Sequence, residues 1–402
     1  MIFWLTDQFP SGEKNRTGVF IYRTVKELAK YYPITVLCLY PYTPPLLFML
    51  KNLRGSKNIF KQWKETHPQK LIKPTGLENV PVIYIKYIRP FRGKLDFLEG
   101  WFAYYAVKGK IKKLLSKDKD VFHANWLFPI GKMAELLSQK FRIPYIITLR
   151  GSDINLLEPN SLNWKSAVSM LKNSSKITSV SKFLLSECKR KKIIIDEKKL
   201  SITHNFYDTE QFIIKDKKLA RRNIKADVND RIIFYAGVLR KLKNVDILIN
   251  SVHQLLPTFS VKLFIAGTGY EENYLRNLVL EKNISNQVKF IGKLDTQIII
   301  DYYNAADLFC LVSNSEGLPN VIVESLLCGT PVIATSVGEI PDLIKEGVNG
   351  YLVRPNSVSS LSQKIQLGFE TIWDRKVLRE SINFLSRENV LKEYKNVYKE
   401  FT

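Results

Sequence analysis

Short apolar runs alternate with helix-like stretches along almost the whole chain, a rhythm that points to parallel α/β architecture, since parallel strands need crossover helices between them. In the first half the runs are Ile2–Thr6, Ile34–Leu39, Val82–Ile85, Val121–Ala124, Tyr145–Leu149 and Ile177–Val180. In the second they are Ile232–Ala236, Lys262–Ala266, Lys289–Ile291, Asp307–Val312 and Pro331–Ala334. Each set is expected to form one doubly wound sheet. The charged stretch Lys215 to Asp230 between them reads as a linker. A chain of 402 residues exceeds one ordinary domain, and 45% hydrophobic residues suffice for full cores. After the linker, Val245, Leu248, Ile249, Val252, Leu255 and Leu256 share one face of a helix expected from Asn244 to Leu256.

The balance of 61 basic against 38 acidic residues leaves +23 at pH 7, which favours anionic partners and says nothing about fold. Nucleic acid, anionic lipid and phosphorylated substrates all fit that charge. No RNA-binding aromatic motif, zinc finger or basic heptad helix is present, so nucleic acid is not an expected partner. Cys38, Cys188, Cys310 and Cys328 are scattered, with no C-x-x-C pair and no histidine at ligand spacing. They read as small core residues in a reducing compartment, and no metal site is expected. The amino terminus is apolar only from Ile2 to Thr6 before Asp7, too short for a signal peptide or a membrane span. Cytoplasmic residence is the expectation.

Glu316-Gly-Leu-Pro-Asn-Val-Ile-Val-Glu324 sets two carboxylates around the start of a short apolar helix. Pro319 suits the first turn, where its missing N–H costs nothing, and Gly329 suits the stop. Glu316 is thus expected on the entering loop and Glu324 on the helix, in surroundings so apolar that a carboxylate needs hydrogen-bond donors. A polyhydroxylated ligand supplies such donors; a neighbouring loop or a lysine would serve as well. The continuation Gly329-Thr-Pro-Val-Ile-Ala-Thr335, Gly338-Glu-Ile-Pro-Asp342 and Glu346-Gly-Val-Asn-Gly-Tyr-Leu-Val353 completes a run from 313 to 355. That run resembles the signature region of the retaining glycosyltransferases of family four, most like bacterial cell-surface polysaccharide enzymes.

The resemblance implies the GT-B fold: two Rossmann-like doubly wound parallel-sheet domains facing a central cleft. Residues 1–214 would be the acceptor-side domain, 215–377 the nucleotide-sugar-binding domain, and 378–402 a helix, roughly Leu378 to Phe401, crossing back to the first. Glu316 would hold hydroxyls of the donor sugar and Glu324 the ribose hydroxyls, with the backbone amides of the Gly317-Leu318-Pro319-Asn320 segment, Pro319 apart, facing sugar and phosphates. The loop Gly237-Val-Leu-Arg-Lys-Leu-Lys-Asn244 follows a strand and enters a helix, where glycine admits a phosphate and lysine neutralises it. The resemblance puts Lys243 on the diphosphate of a UDP- or GDP-sugar and leaves Arg240 or Lys241 to replace the arginine that many members carry where Val238 stands. Ala266-Gly-Thr-Gly-Tyr270 and Gly292-Lys293-Leu294 resemble further donor-side segments. Growing charge on the nucleoside diphosphate would be stabilised by Lys243 and a helix amino terminus, with no protein nucleophile and no cofactor beyond the donor.

On the acceptor side, the loop from Phe9 to Gly18 would line the site. His123 matches the first histidine of a frequent H-x-H pair, with Asn125 in place of the second, and is a catalytic candidate beside Glu316 and Lys243. Thr148-Leu-Arg-Gly-Ser-Asp153 matches a segment where relatives usually carry His-Gly, so Arg150 and Asp153 join the acceptor side. An arginine there hints at an anionic acceptor, since its fork of donors grips phosphate or carboxylate.

The two glutamates also admit a glycosidase reading, but a hydrolase has no need of the adjoining phosphate loops. Asp118-Lys-Asp120 follows a lysine-rich helix and reads as a solvated turn rather than a metal motif. Phe97, Leu98, Trp101, Tyr104 and Tyr105 fall near helix spacing beside Lys108, Lys110, Lys112, Lys113 and Lys117, so this segment either packs on the first sheet or lies on an anionic bilayer. The apolar run 44–50 could also touch a membrane. The expected function is transfer of a sugar from a nucleotide donor to a lipid-linked or polysaccharide acceptor at the inner membrane face. A nucleotide-sugar 2-epimerase and a non-catalytic donor-binding protein of the same fold are the alternatives.

Overall fold

The computed structural model describes residues 1–10, 18–42, 72–89, 95–116, 119–193 and 196–401. The chain divides into two compact units, Met1–Tyr207 with Arg387–Thr402, and Asp208–Ser386. Among the described residues the first unit has seven parallel strands: β1 (Ile2–Thr6), β2 (Ile34–Tyr42), β3 (Val82–Ile88), β4 (Val121–Asn125), β5 (Tyr145–Leu149), β6 (Lys176–Ser179) and β7 (Leu200–Ile202), in the order β3-β2-β1-β4-β5-β6-β7. Its central strand β1 is buried throughout, as a strand covered on both faces must be. Phe3 and Leu5 face a core shared with Ala103, Val107 and Ile111 of the helix Asp96–Leu114. Ile2 and Trp4 face the opposite core, which holds Ile21, Val25 and Leu28 of the helix Val19–Leu28.

The second unit repeats the plan with β8 (Arg231–Ala236), β9 (Val261–Ala266), β10 (Val288–Gly292), β11 (Leu308–Leu311), β12 (Val332–Thr335) and β13 (Gly350–Val353), ordered β10-β9-β8-β11-β12-β13 among the described residues. All its described pairings are parallel. Phe234, Tyr303 and Phe309 cluster under the sheet, with ring centroids 5.1, 5.5 and 6.0 Å apart. Two Rossmann-like parallel sheets are the architecture the resemblance implied. The amphipathic helix forms at Val245–Leu255 with the expected buried face.

Several expectations are corrected. The stretch taken as a linker contains the helix Lys217–Asn223, whose Arg221 is buried and ion-paired to Asp307 at 2.8 Å. The unit boundary lies at 207/208 rather than 214/215, because Arg379 donates to the carbonyls of Thr209 and Phe212 and Asn304 to that of Ile213. The terminal stretch is broken. Arg375–Glu380 stays in the second unit, Ser386 is extended, and only Arg387–Tyr398 belongs to the first unit. There Val390, Tyr394, Val397 and Tyr398 fill the core beside Trp4. Asp120 is buried rather than solvated: it accepts from Ser116 and pairs with the terminal amine at 3.3 Å, while residue 118 lies outside the described set. All four cysteines are free and buried, and burial pushes their thiols up.

Candidate active site

In the second sheet the chain order reverses between β8 and β11, and open α/β sheets hold ligands at the carboxyl ends of strands beside such a reversal. The loops leaving these two strands meet there. Lys243, after β8, donates to Glu316 Oε1 at 2.5 Å, and Ser313, after β11, donates to the same oxygen. Asn244 holds the loops together: it adopts φ 48° and its amide nitrogen bonds Val312 O, Asn314 Oδ1 and Asn356 Oδ1 at 3.1, 2.7 and 3.0 Å. Asn314 N closes the link onto Leu242 O at 2.8 Å. Gly267 (φ +127°) approaches so closely that a Cβ would stand 1.9 Å from Gly237 O, and one on Gly338 (φ +56°) would stand 2.1 Å from Glu316 O. These glycines let the loops stack.

The helix Asn320–Leu327 begins beside Glu316, with Pro319 at its N-cap and Gly329 (φ +70°) after its end. Among the described residues the amides of Gly317, Leu318 and Asn320 have no acceptor, so the helix start presents free donors. Ile322, Val323 and Leu326 are buried, but Glu324 is only half-buried, less enclosed than the apolar sequence around it implied. Its donor is the Tyr303 phenol at 3.0 Å. Burial, and next the Glu324 charge, hold that phenol protonated by pushing it well up.

Lys243, Glu316 and the start of the 320–327 helix are therefore brought together. Gly237 is half-buried at the head of the same loop, whereas Arg240 is exposed and lies over the Tyr270 ring at 5.7 Å, in no ion pair with a described residue. Beneath Gly237 the Tyr235 phenol is buried, its oxygen has no hydrogen-bond partner among the described residues, and burial and Glu316 push it up.

The acceptor-side candidates sit at the matching reversal of the first sheet, between β1 and β4. Arg150, after β5, sends Nε and one terminal nitrogen to Asn125 Oδ1 (3.2 and 2.6 Å) and the other to Asn205 Oδ1 (2.6 Å). Asn125 is itself fixed by a bond to Leu5 O at 3.1 Å. The Arg150 guanidinium lies over the Phe20 ring at 5.2 Å, just beyond Gly18, which caps the helix Val19–Leu28 at φ 71°. Asp153 turns inward to the amides of Arg150 and Gly151, and burial raises its pKa, so it shapes the turn.

His123 is a correction. It is fully buried under Trp4, with Nδ1 2.5 Å from Tyr398 Oη and Nε2 2.5 Å from Thr148 Oγ1, and burial and then Arg150 push its pKa down to about 3. A neutral imidazole, fully buried with both nitrogens engaged, holds the terminal helix. The loop at residues 11–17 and the run 44–50 fall outside the described residues.

Sequence reasoning passed over several residues here. Asn205 needs the fold to meet Arg150, and Ser313 needs it to meet Glu316. Asp7, the first polar residue after β1, has a carboxyl pushed up to about 6 by burial, against Arg89. Trp126 takes φ 73°, ψ 156°, a region almost reserved for glycine, at the end of β4. The polar residue closing a buried strand was the available signal for Asp7; none marked Trp126.

Residues 216–379 match the family model for glycosyl transferases group 1, and residues 17–211 match that for glycosyltransferase family 4. The chain is 28% identical over 381 residues to TuaC of Bacillus subtilis (strain 168), provisionally named a teichuronic acid biosynthesis glycosyltransferase, covering 94% of this chain and 91% of that one. It is 27% identical over 302 residues to N-acetyl-alpha-D-glucosaminyl L-malate synthase of Bacillus anthracis, covering 73% and 78%. Among solved structures it is similar to Anabaena HepE in complex with UDP (TM-score 0.69, 21% identity, 99% and 98% covered). Sucrose-phosphate synthase from Thermosynechococcus elongatus is also similar (TM-score 0.76, 18% identity, 99% and 98% covered). At those identities the likeness to solved structures is one of fold. The two family models run through both units, and the protein belongs to the family-four, group 1 glycosyltransferases.

Proposed function

We propose that the protein transfers a sugar, with retention, from a UDP- or GDP-sugar to a lipid-linked or polysaccharide acceptor in cell-surface glycan synthesis. The observation that carries this reading is the meeting of Lys243, Glu316 and the free amides before the helix Asn320–Leu327 at one strand-order reversal. A diphosphate needs a cation and amide donors, and a sugar needs a carboxylate acceptor for its hydroxyls. Lys243 can pivot from Glu316 to phosphate, which frees the carboxylate for the sugar and leaves the lysine to stabilise the departing diphosphate. No metal or further cofactor enters this scheme. HepE structures with UDP and with UDP-glucose support a nucleotide donor, and the name of TuaC supports a cell-surface glycan as product.

We place the reaction at the cytoplasmic face of the membrane. No described helix is long and apolar enough to cross a bilayer. The helix Asp96–Leu114 buries Ala103, Val107 and Ile111 and exposes Trp101, Phe102 and Tyr105, with Lys108 over the Tyr105 ring at 4.2 Å and Lys110, Lys112 and Lys113 exposed beyond. Aromatic anchors beside lysines suit an anionic lipid surface.

The donor reading is tested by Lys243→Ala. Affinity for the free nucleoside diphosphate and for the nucleotide sugar should fall together, by about tenfold or more, as a charge-assisted contact is lost. Unchanged affinity for both removes Lys243 from the site. Product analysis without acceptor separates transfer from epimerisation.

A further inference from the structure

Arg150 carries a charge that no described residue of the first unit meets with an ion pair. Among the described residues no carboxylate forms an ion pair with it; it donates to the amide oxygens of Asn125 and Asn205, lies over the face of Phe20 and feels the Tyr394 phenol. The neighbouring carboxylate, Asp153, spends itself on backbone amides. Other sunken arginines are compensated. Arg89 pairs with Glu99 and Arg221 with Asp307, while Arg375 and Arg379 take the last carbonyls of the helix Asn320–Leu327, where the helix dipole is negative.

A guanidinium has five N–H donors in a plane, and here three face two fixed amides. The residue as a whole is half-buried. Burial lowers its pKa, with Tyr394 and Asp153 pulling the other way. Its surroundings are built rather than incidental. Asn125 is anchored to β1, Asn205 is buried, and Trp126 is held in a strained backbone by bonds from its N–H to Thr148 O and to its carbonyl from Gly131 N. Strain of that kind persists where the surrounding structure over-determines it, and it clusters at ligand sites. Phe20, in the first turn after Gly18, meets Trp126 edge-on at 6.2 Å and closes one side.

We infer that Arg150, steadied by Asn125 and Asn205 at the strand-order reversal of the first sheet, is an oxyanion subsite that requires the acceptor to carry a carboxylate or a phosphate. The inference rests on the glycosyltransferase reading only in calling the bound molecule an acceptor. A planar fork suits both anions, so an acidic sugar and a phosphorylated one are two sources of one chemistry.

The test is calorimetric titration of the full chain, with the nucleoside diphosphate present at saturation, using glucuronate against glucose and glycerol 1-phosphate against glycerol. In at least one pair the anion should bind at least about tenfold more tightly than its neutral partner, as a charge-assisted contact allows. Which pair shows the preference distinguishes carboxylate from phosphate. Arg150→Gln should bring the ratio close to one. So should Asn205→Asp, which sets a carboxylate of the same shape against the guanidinium and serves if the first variant fails to fold. Nucleoside-diphosphate affinity should hold in both. Ratios near one for both pairs in the wild type, or a preference that survives a folded variant, overturn the inference. If the nucleoside diphosphate does not bind, the donor reading has failed; the same ratios measured without it still decide the subsite.

Discussion

The two glutamates of the 316–324 motif hold different partners, so their defects should differ. Glu316 receives Lys243 and Ser313 on one oxygen beside the free amides, whereas Glu324 receives Tyr303. Glu316→Gln should chiefly lower turnover, on the order of a hundredfold, because bonds that strengthen in the transition state act on rate. Glu324→Gln should chiefly weaken nucleotide binding. Transfer kinetics and nucleoside-diphosphate affinity for each variant separate the two, and wild-type behaviour in both would sink the assignment. Asp7 permits a stability test with a definite sign. Its carboxyl titrates at about 6 instead of 3.8, so the stability from its neutral form is full below about pH 4 and is lost as pH rises through 6. Asp7→Asn should therefore stabilise the protein by roughly 1–3 kcal/mol at pH 8 and leave it nearly unchanged at pH 3.5, measured by urea unfolding. The roles proposed for Glu316 and Lys243 rest, on the sequence side, on resemblance alone. Their contact was not legible there, since it joins positions 73 apart and exists because β8 and β11 pair in the sheet.

At the scale of elements, strands buried on both faces announced themselves, and β1 and β5 fall where continuous apolar runs placed them. The strands β7 and β13 escaped because they are short edge strands. The terminal helix was legible as a helix, but its start was not: apolar periodicity runs across Ser381–Ser386, and only docking in two different units reveals the break. That docking also decides His123, whose ring meets a tyrosine 275 positions downstream. A lone histidine at a strand end could have faced substrate; the arrival of Tyr398 makes it core. Tyr398→Ala should cost about 3–5 kcal/mol by leaving a large cavity. Tyr398→Phe keeps the ring and should cost about 1–3 kcal/mol, through loss of the hydroxyl facing the buried imidazole. Denaturant midpoints for the two variants measure the difference, and equal, small losses would show the helix to be dispensable.

For the whole molecule, the net charge of +23 is a prediction about surfaces. The protein should bind anionic vesicles at low salt and release as salt screens the lysines, and Trp101→Ala with Tyr105→Ala should weaken binding by several-fold at any salt. Equal binding to neutral vesicles would count against an electrostatic anchor. Composition made the charge legible, but which face of the helix Asp96–Leu114 stays outside depended on how Ala103, Val107 and Ile111 pack. The chain leaves the first unit at Tyr207 and re-enters it at Arg387, with the second unit uninterrupted between. A ribosome therefore delivers every strand of the second sheet before it delivers the helix that covers Trp4. The second unit has all its parts first, and the first unit keeps an apolar face bare until the helix Arg387–Tyr398 has been made.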